Sequence, residues 1–318
     1  MSTSEFDLIE RYFRRRSRSR ADVVLGIGDD AAILRPAPDC DLVVTMDTLV
    51  AGVHFYPETS AFDLGYKSLA VNLSDLAAMG AEPLWATLAL TLSEPDEQWL
   101  DGYSRGFASL ADRFDVALVG GDTTRGPLSI TIAAYGRVPK DRGLRRSGAQ
   151  VGDLIGVTGT LGDAALGLHL LRSPRAIAAE HRQYCLERLH RPSPRVAEGL
   201  CLRDLASSAI DISDGLAGDL PRVLAASGVG ATLEFACLPV SPALACLAEE
   251  QRLAFAVCGG DDYELCITLA PERWQAAAEA LGGTRLTRIG RIEHGQDICW
   301  RRPDSSVYRP PGPGYRHF

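Results

Sequence analysis

Lysine is almost missing from this chain: of its 33 basic residues, all but Lys67 and Lys140 are arginine. A site for phosphate therefore cannot lean on several lysines. The loop G-x-x-x-x-G-K-[ST] is absent, and the pair Gly26 and Gly28 is not extended to G-x-G-x-x-G. A formal net charge of -8 argues against a nucleic-acid surface. No apolar run approaches the roughly 18 to 20 residues that cross a bilayer. The N-terminal arginines come without the apolar segment of a signal peptide, so a cytoplasmic protein is expected. Cysteines stand at 40, 185, 201, 237, 246, 258, 266 and 299 with no C-x-x-C and no zinc spacing. They read as reduced thiols filling apolar gaps.

With 318 residues there is room for two domains and a sizeable core. Residues 5 to 16 place Phe6, Ile9, Tyr12 and Phe13 at helical spacing. The arginines that follow, Arg14, Arg15, Arg16, Arg18 and Arg20, are expected as a solvated face, with a flap over an anionic substrate as the alternative. Residues 41 to 47, apolar and β-branched, read as a buried strand with an acidic tip at Asp47. From 62 to 79, Phe62, Tyr66, Leu69, Leu73 and Leu76 mark one face of a helix, while Asn72 and Asp75 share another. A strand over 84–92 follows. Residues 93 to 97 then supply an N-cap, an early proline and first-turn acids for a helix running to Phe114. Two further strands are expected at 116–119 and 128–135.

Charge, glycine and proline break the pattern at 137–150. The expected organisation is a domain over 1–138, a linker over 139–150 and a second domain over 151–318. The second half reads as a strand at 154–158, a helix from Leu161, arginine-rich helices near 179–190 and 194–206, and a strand at 209–212 feeding a helix that starts at Asp214. The fold class is mixed α/β. Gly120-Gly121-Asp122 is loosely echoed by Gly259-Gly260-Asp261, too short a match to establish duplication, and the Pro- and aromatic-rich tail from 310 to 318 is expected to dock.

What the chain has in plenty is aspartate where apolar runs stop: Asp29 and Asp30, Asp47, Asp75, Asp122, Asp211 and Asp214, then Asp261 and Asp262 with Glu264. One such acid is an ordinary turn former or helix cap. Six clusters at the ends of buried elements are costly unless a cation meets them. Hard oxygen donors without a His or Cys cluster point to magnesium, which takes one or two carboxylates plus phosphate oxygens and water, and so implies a nucleotide. Phosphates would be held through metal ions, through backbone N–H groups at glycine turns and helix starts such as Asp214-Gly215, and by arginine, of which Arg146 is the preferred candidate. Such a site suits phosphoryl transfer by positioning and charge neutralisation.

The blocks Gly28-Asp29-Asp30-Ala31-Ala32, Thr45 to Phe55, Asn72 to Pro83, Gly120 to Thr123, Asp211 to Leu216 and Gly259 to Leu265, with the terminal Gly-Tyr-Arg-His-Phe, resemble the thiamine-monophosphate kinase family, in order, from about residue 26 to the C-terminus. The resemblance implies an ATP- and magnesium-dependent kinase making thiamine diphosphate. It also implies the two-domain fold shared with aminoimidazole ribonucleotide synthetase, a homodimer built through the N-terminal sheet, and a C-terminal α/β domain. By motif position, Asp30, Thr45, Asp47, Asp75, Asp122, Asp211 and Asp214 would carry magnesium ions. Met46 stands where a hydroxyl residue is commoner, so only its backbone carbonyl could join them. Gly121, Asp122, Arg146 and Ser213, with Tyr103, would contact ATP. His54, Asp261 and Tyr315 would contact thiamine monophosphate, Asp261 standing where glutamate is frequent.

The acceptor in that reaction is a phosphate monoester, already largely ionised at neutral pH, so no residue is assigned as a general base. Direct in-line transfer is expected. The alternatives are another ATP-dependent synthetase or cyclase of the same fold, a carboxylate two-metal phosphatase that needs no ATP, and a nucleotide-binding module without turnover. A selenophosphate synthetase would carry a reactive cysteine or selenocysteine in an N-terminal glycine-rich loop, and no cysteine precedes Cys40.

Overall fold

The computed structural model describes residues 5–173, 177–302, 304 and 306–315. Two compact units divide the chain: Met1–Leu76 with Ala81–Asp141, and Ala77–Gly80 with Arg142–Phe318.

The first unit opens with α1 (Glu5–Leu8), a π turn at Ile9–Phe13 and a 3-10 turn at Arg14–Arg16. The small ribbon β1 (Val23–Leu25) and β2 (Ile33–Leu34) follows, then β3 (Cys40–Val50), α2 (Ala61–Ala78), β4 (Glu82–Leu92), α3 (Glu97–Arg113), β5 (Ala117–Arg125) and β6 (Ser129–Pro139). The main sheet has the order β3-β6-β4-β5, with only the β4–β5 pair parallel. Helices α2 and α3 approach backbone to backbone: a Cβ at Gly65 would collide with the Tyr103 carbonyl, and one at Gly106 with that of Phe62. Glycine inside a helix costs about 1 kcal/mol; here it permits the close crossing. The cap of α3 is Asp96, which accepts from the N–H groups of Gln98 and Trp99, so Pro95 precedes the helix instead of opening it.

The expected buried strand at 41–47 is instead an exposed edge. Directly opposed residues share a face, so Thr45, facing Ala134, and Asp47, facing Ile132, belong to the face carrying the buried Ile132 and Ala134. Leu42, Val44 and Met46 lie on the other face, 49%, 57% and 67% exposed. The arginine run is no flap: Arg14 and Arg15 pair with Glu10, Arg16 with Asp101, Arg18 with Asp115, and Arg20 with both Asp22 and Asp115. The Arg14 and Arg15 pairs lie within the N-terminal turns, while Arg16 ties them to α3 and Arg18 and Arg20 tie the following residues to Asp115, in the connection from α3 to β5. The Arg20 guanidinium holds the Asp22 carboxyl below its ordinary range.

The second unit contains β7 (Leu154–Thr158), α4 (Asp163–Arg172), α5 (Ala179–His190), α6 (Val196–Leu202), β8 (Ser208–Ile212), α7 (Leu216–Ser227), β9 (Gly230–Glu234), α8 (Pro242–Ala245), α9 (Glu249–Cys258), β10 (Glu264–Leu269), α10 (Trp274–Ala280), β11 (Leu286–Glu293), β12 (Ile298–Arg301) and β13 (Val307–Tyr308). Its sheet runs β13-β12-β9-β11-β7-β10-β8, antiparallel except for β12 beside β9. The core joins Ile155, Val157, Ile210 and Ile212 of the sheet to Leu166, Leu220 and Val257 of the helices. All eight cysteines are free thiols; Cys185 and Cys266 are buried as expected, while Cys201 and Cys246 are exposed. The two Gly-Gly-Asp echoes fold differently, one inside β5 and the other in the connection from α9 to β10.

Candidate functional site

In the first unit, the helix-facing side of β3 and one face of α2 bring oxygen donors together. The Thr45 hydroxyl donates to Asp75 Oδ2, and Asp47 stands two residues along on the same strand face. The Met46 side chain points to the opposite face, so only its backbone could serve a cation beside Thr45 and Asp47. Asp122 is exposed near the end of β5. The Gly121 before it has φ +148, and a Cβ there would collide with the Leu88 carbonyl, so glycine is what allows the strand to lie against β4 here. Asp30 is exposed in the connection from β1 to β2, and its N–H donates to Asp29 Oδ1 at 2.9 Å.

After β3 the chain turns through Gly52 at φ +77 to His54. The Val50 N–H donates to His54 Nδ1 at 3.0 Å, which makes Nδ1 the acceptor and places the neutral ring's proton on Nε2. Tyr103, expected beside ATP, is a core residue. It is fully buried, stacked on Trp99 with centroids 5.1 Å apart, and its hydroxyl pairs with Ser68 at 3.0 Å.

In the second unit, four of the expected residues meet around one turn. Apolar β8 ends at Asp211 and Ile212, and Ser213, Asp214 and Gly215 lead into α7. The Asp261 N–H donates to the Ser213 carbonyl at 2.8 Å, and the Tyr315 N–H to the Asp214 carbonyl at 3.0 Å. The tail therefore docks as far as Tyr315, aided by the Cys258 thiol donating to the Gly312 carbonyl at 3.2 Å; Arg316, His317 and Phe318 lie outside the described residues. Asp261 and Tyr263 have φ of +68 and +52, conformations rare for residues with side chains. The Tyr263 hydroxyl donates to Asp261 Oδ1 at 2.9 Å, so the strained turn aims that carboxylate. Arg146 is exposed, and its backbone carbonyl accepts from Ser227 Oγ at 3.3 Å.

The expectation of free N–H groups at this helix start fails for two of them. The Ser213 and Asp214 N–H groups do not wait for a phosphate; both donate to Oδ2 of Asp219, at 3.0 and 2.9 Å. Asp214 itself is paired with Arg222 at 2.6 Å. Asp219, Arg222 and Tyr263 were missed in the sequence; an acid in the first turn of α7 was the one local signal, and it did not show that the carboxylate reaches back to Ser213 and Asp214.

The last acidic cluster splits in two. Asp261 stays with the turn, whereas Asp262 and Glu264 are buried structural groups. Glu264 is met by Arg188 at 2.8 Å, by Arg195 at 2.6 Å and by the Thr158 hydroxyl at 2.7 Å. Asp262 accepts from the Gly162 N–H at 2.8 Å, at the start of α4, and burial pushes its carboxyl well above the ordinary range. A carboxyl raised in the folded state stabilises most at low pH, and that contribution is lost as pH climbs from the ordinary carboxylate value through the raised one. Asp262→Asn, which keeps an acceptor for Gly162, is therefore expected to gain melting temperature over the wild type at pH 8 and to lose that advantage near pH 4.5. Thermal scans of both proteins across this range check it.

Among the described residues no three His, Cys, Asp or Glu side chains converge into a metal-holding group. The donors that do meet, a carboxylate and a hydroxyl on α2 and β3 with Asp47 beside them, are hard oxygens. They fit magnesium arriving with phosphate oxygens and water, which needs only one or two carboxylates from the protein.

Residues 28–138 match the N-terminal domain model of the AIR synthase related proteins, and residues 150–299 match the C-terminal one. A curated relative, thiamine-monophosphate kinase of Escherichia coli K12, is 50% identical over 323 aligned positions, covering 100% of this chain and 99% of that protein. The chain belongs to the thiamine-monophosphate kinase family. The crystal structure of a family member from Stenotrophomonas maltophilia K279a is 49% identical, with a TM-score of 0.86 over 97% of this chain and 99% of its own. The structure described as "AaThiL complexed with AMPPCP and TMP" is 30% identical, with a TM-score of 0.79 over 99% of this chain and 97% of its own.

Proposed function

We propose that this chain is an ATP-dependent kinase that phosphorylates thiamine monophosphate to thiamine diphosphate. The observation that carries the reading is the full-length match to thiamine-monophosphate kinases, one relative of which is described with AMPPCP, an ATP analogue, and TMP together. In the reaction an oxygen of the acceptor phosphate forms a bond to the γ-phosphorus of ATP, and the bond from that phosphorus to the bridging oxygen breaks, releasing ADP.

Magnesium ions would be held by Asp30, Thr45, the Met46 carbonyl, Asp47, Asp75 and Asp122 in the first unit, and by Asp211 and Asp214 in the second, and would supply the charge that offsets repulsion between two anions. Gly121, Asp122, Arg146 and Ser213 would contact ATP; His54, Asp261 and Tyr315 would contact thiamine monophosphate. The hydrogen bond that Val50 gives to Nδ1 supports His54 as an Nε2–H donor to the acceptor phosphate and not as its base. Tyr103, buried in the core, has no such part. Among the described residues no helix is long and apolar enough to cross a membrane, and the reading places the enzyme in the cytoplasm.

The exposed face of β3 supports a homodimer formed through it: an edge strand showing Leu42, Val44 and Met46 to water is a surface that proteins cover. Val44→Arg is expected to halve the particle mass measured by light scattering, and an unchanged mass would remove that face from the interface. The activity itself is tested by incubating the protein with ATP, Mg²⁺ and thiamine monophosphate and separating the products. Thiamine diphosphate and ADP in equal amounts are expected, and absence of thiamine diphosphate would reject the reading.

A further inference from the structure

The turn that joins β8 to α7 gathers Ser213, Asp214, Asp261 and Tyr315, and one buried side chain ties down two of its backbone N–H groups. That group is the Asp219 carboxylate, 1% exposed, one turn into α7. Its Oδ2 accepts from both the Ser213 and the Asp214 N–H, at 3.0 and 2.9 Å. Its Oδ1 faces Arg222 at 3.3 Å, and the same guanidinium reaches Asp214 at 2.6 Å. The outer side of the turn is where the other two residues attach, since the Ser213 carbonyl accepts from Asp261 and the Asp214 carbonyl from Tyr315. Glycines close the packing: a Cβ at Gly260 or Gly314 would meet the Ser213 or Asp214 carbonyl, respectively, inside ordinary contact.

We propose that Asp219 is a positioning residue of the kinase reaction, whose buried carboxylate sets the conformation of the Ser213–Asp214 turn and through it the placement of Asp261 and Tyr315. A buried carboxylate is costly, and only 1% of Asp219 is exposed. Two N–H donors and a guanidinium offset that cost only while the turn keeps its present path. The side chain thus rewards a single arrangement of the turn, in which the Ser213 and Asp214 N–H groups face Asp219 and the Asp214 carboxylate shares its Arg222 guanidinium. The proposal rests on Ser213 and Asp214 serving the nucleotide side of the kinase reaction.

Two conservative variants separate position from charge. Asp219→Asn keeps an oxygen for both N–H groups and loses the charge; Asp219→Glu keeps the charge and displaces the acceptor by a methylene. Calorimetric titration with AMPPCP and Mg²⁺, together with kcat/KM for ATP, is the readout, with melting scans to establish that each variant is folded. Asp219→Asn is expected to bind the analogue like the wild type, and Asp219→Glu about 10- to 100-fold more weakly, the cost of a misplacement of about 1 Å. Should Asp219→Glu not fold, Asp219→Ala takes its place with the same expectation. Wild-type binding by the displaced variant, or equal loss in Asp219→Asn, overturns the proposal. Failure of the functional reading is distinct, since it would show as a wild-type protein that makes no thiamine diphosphate.

Discussion

Asp75→Asn is expected to lower kcat by about 10²–10³-fold, the scale seen when one preorganised electrostatic contact to a transition state is removed. Its stability should stay close to that of the wild type. Both halves of this expectation come from the same geometry. The asparagine amide oxygen can still accept the Thr45 hydroxyl, and Asp75 is only partly buried, so neither a cavity nor an orphaned donor is created. What disappears is one negative charge from the oxygen-donor wall on β3 and α2, where the reading places magnesium and the phosphates. A loss of about tenfold in rate corresponds to about 1.4 kcal/mol in the barrier, so the expected effect is roughly 3–4 kcal/mol, confined to the reacting state. Steady-state kinetics at saturating Mg²⁺, with melting curves on the same preparations, measures both. Wild-type turnover in Asp75→Asn would show that the charge has no part in catalysis.

Glu264→Gln is expected to do the reverse, unfolding the second unit at far lower denaturant without touching any proposed contact to substrate. Glu264 is fully buried and holds two guanidiniums, those of Arg188 and Arg195, while also accepting from the Thr158 hydroxyl. Removing one partner of a buried ion pair leaves uncompensated charge and costs about 3–5 kcal/mol. Here two cations lose their counter-ion at once, and a glutamine amide pointing at either would add two donors where acceptors are needed. Urea denaturation followed by circular dichroism, compared with the triple change Glu264→Gln, Arg188→Met and Arg195→Met, is the measurement. Recovery of stability in the triple variant is expected, because apolar residues of similar volume replace a charged group whose desolvation was costly. A small effect of Glu264→Gln alone would mean that water reaches the cluster.

The contrast between Asp75 and Glu264 marks what a single sequence can reveal. Helices α2 and α3 and strands β4 to β8 were legible, because apolar periodicity and capping residues are local signals. The edge position of β3 was not. Val43, Val44 and Met46 look as buried as any core strand until the register with β6 decides which of them face water. The acidic clusters posed the same difficulty. Two glycines before an aspartate describe both Gly120-Gly121-Asp122, whose acid is exposed in β5, and Gly259-Gly260-Asp261-Asp262, whose second acid is sealed against the start of α4, since burial depends on what the rest of the chain brings alongside. The partners of Glu264 come from α5 and from the residue before α6, some 70 positions earlier (69 and 76). No local pattern announces such a meeting. The motif blocks pointed to the family, which spacing alone could not do, while the packing of Tyr103 in the core was visible only in the structure.

The central claim is that the chain moves the γ-phosphate of ATP directly to thiamine monophosphate. Single-turnover incubation with ATP labelled in its γ-phosphate, Mg²⁺ and thiamine monophosphate tests it most directly. The label is expected in the terminal phosphate of thiamine diphosphate, one for each ADP formed, with none retained on the protein. Label released as free phosphate, or held on the protein as a stable aspartyl-phosphate, would contradict it.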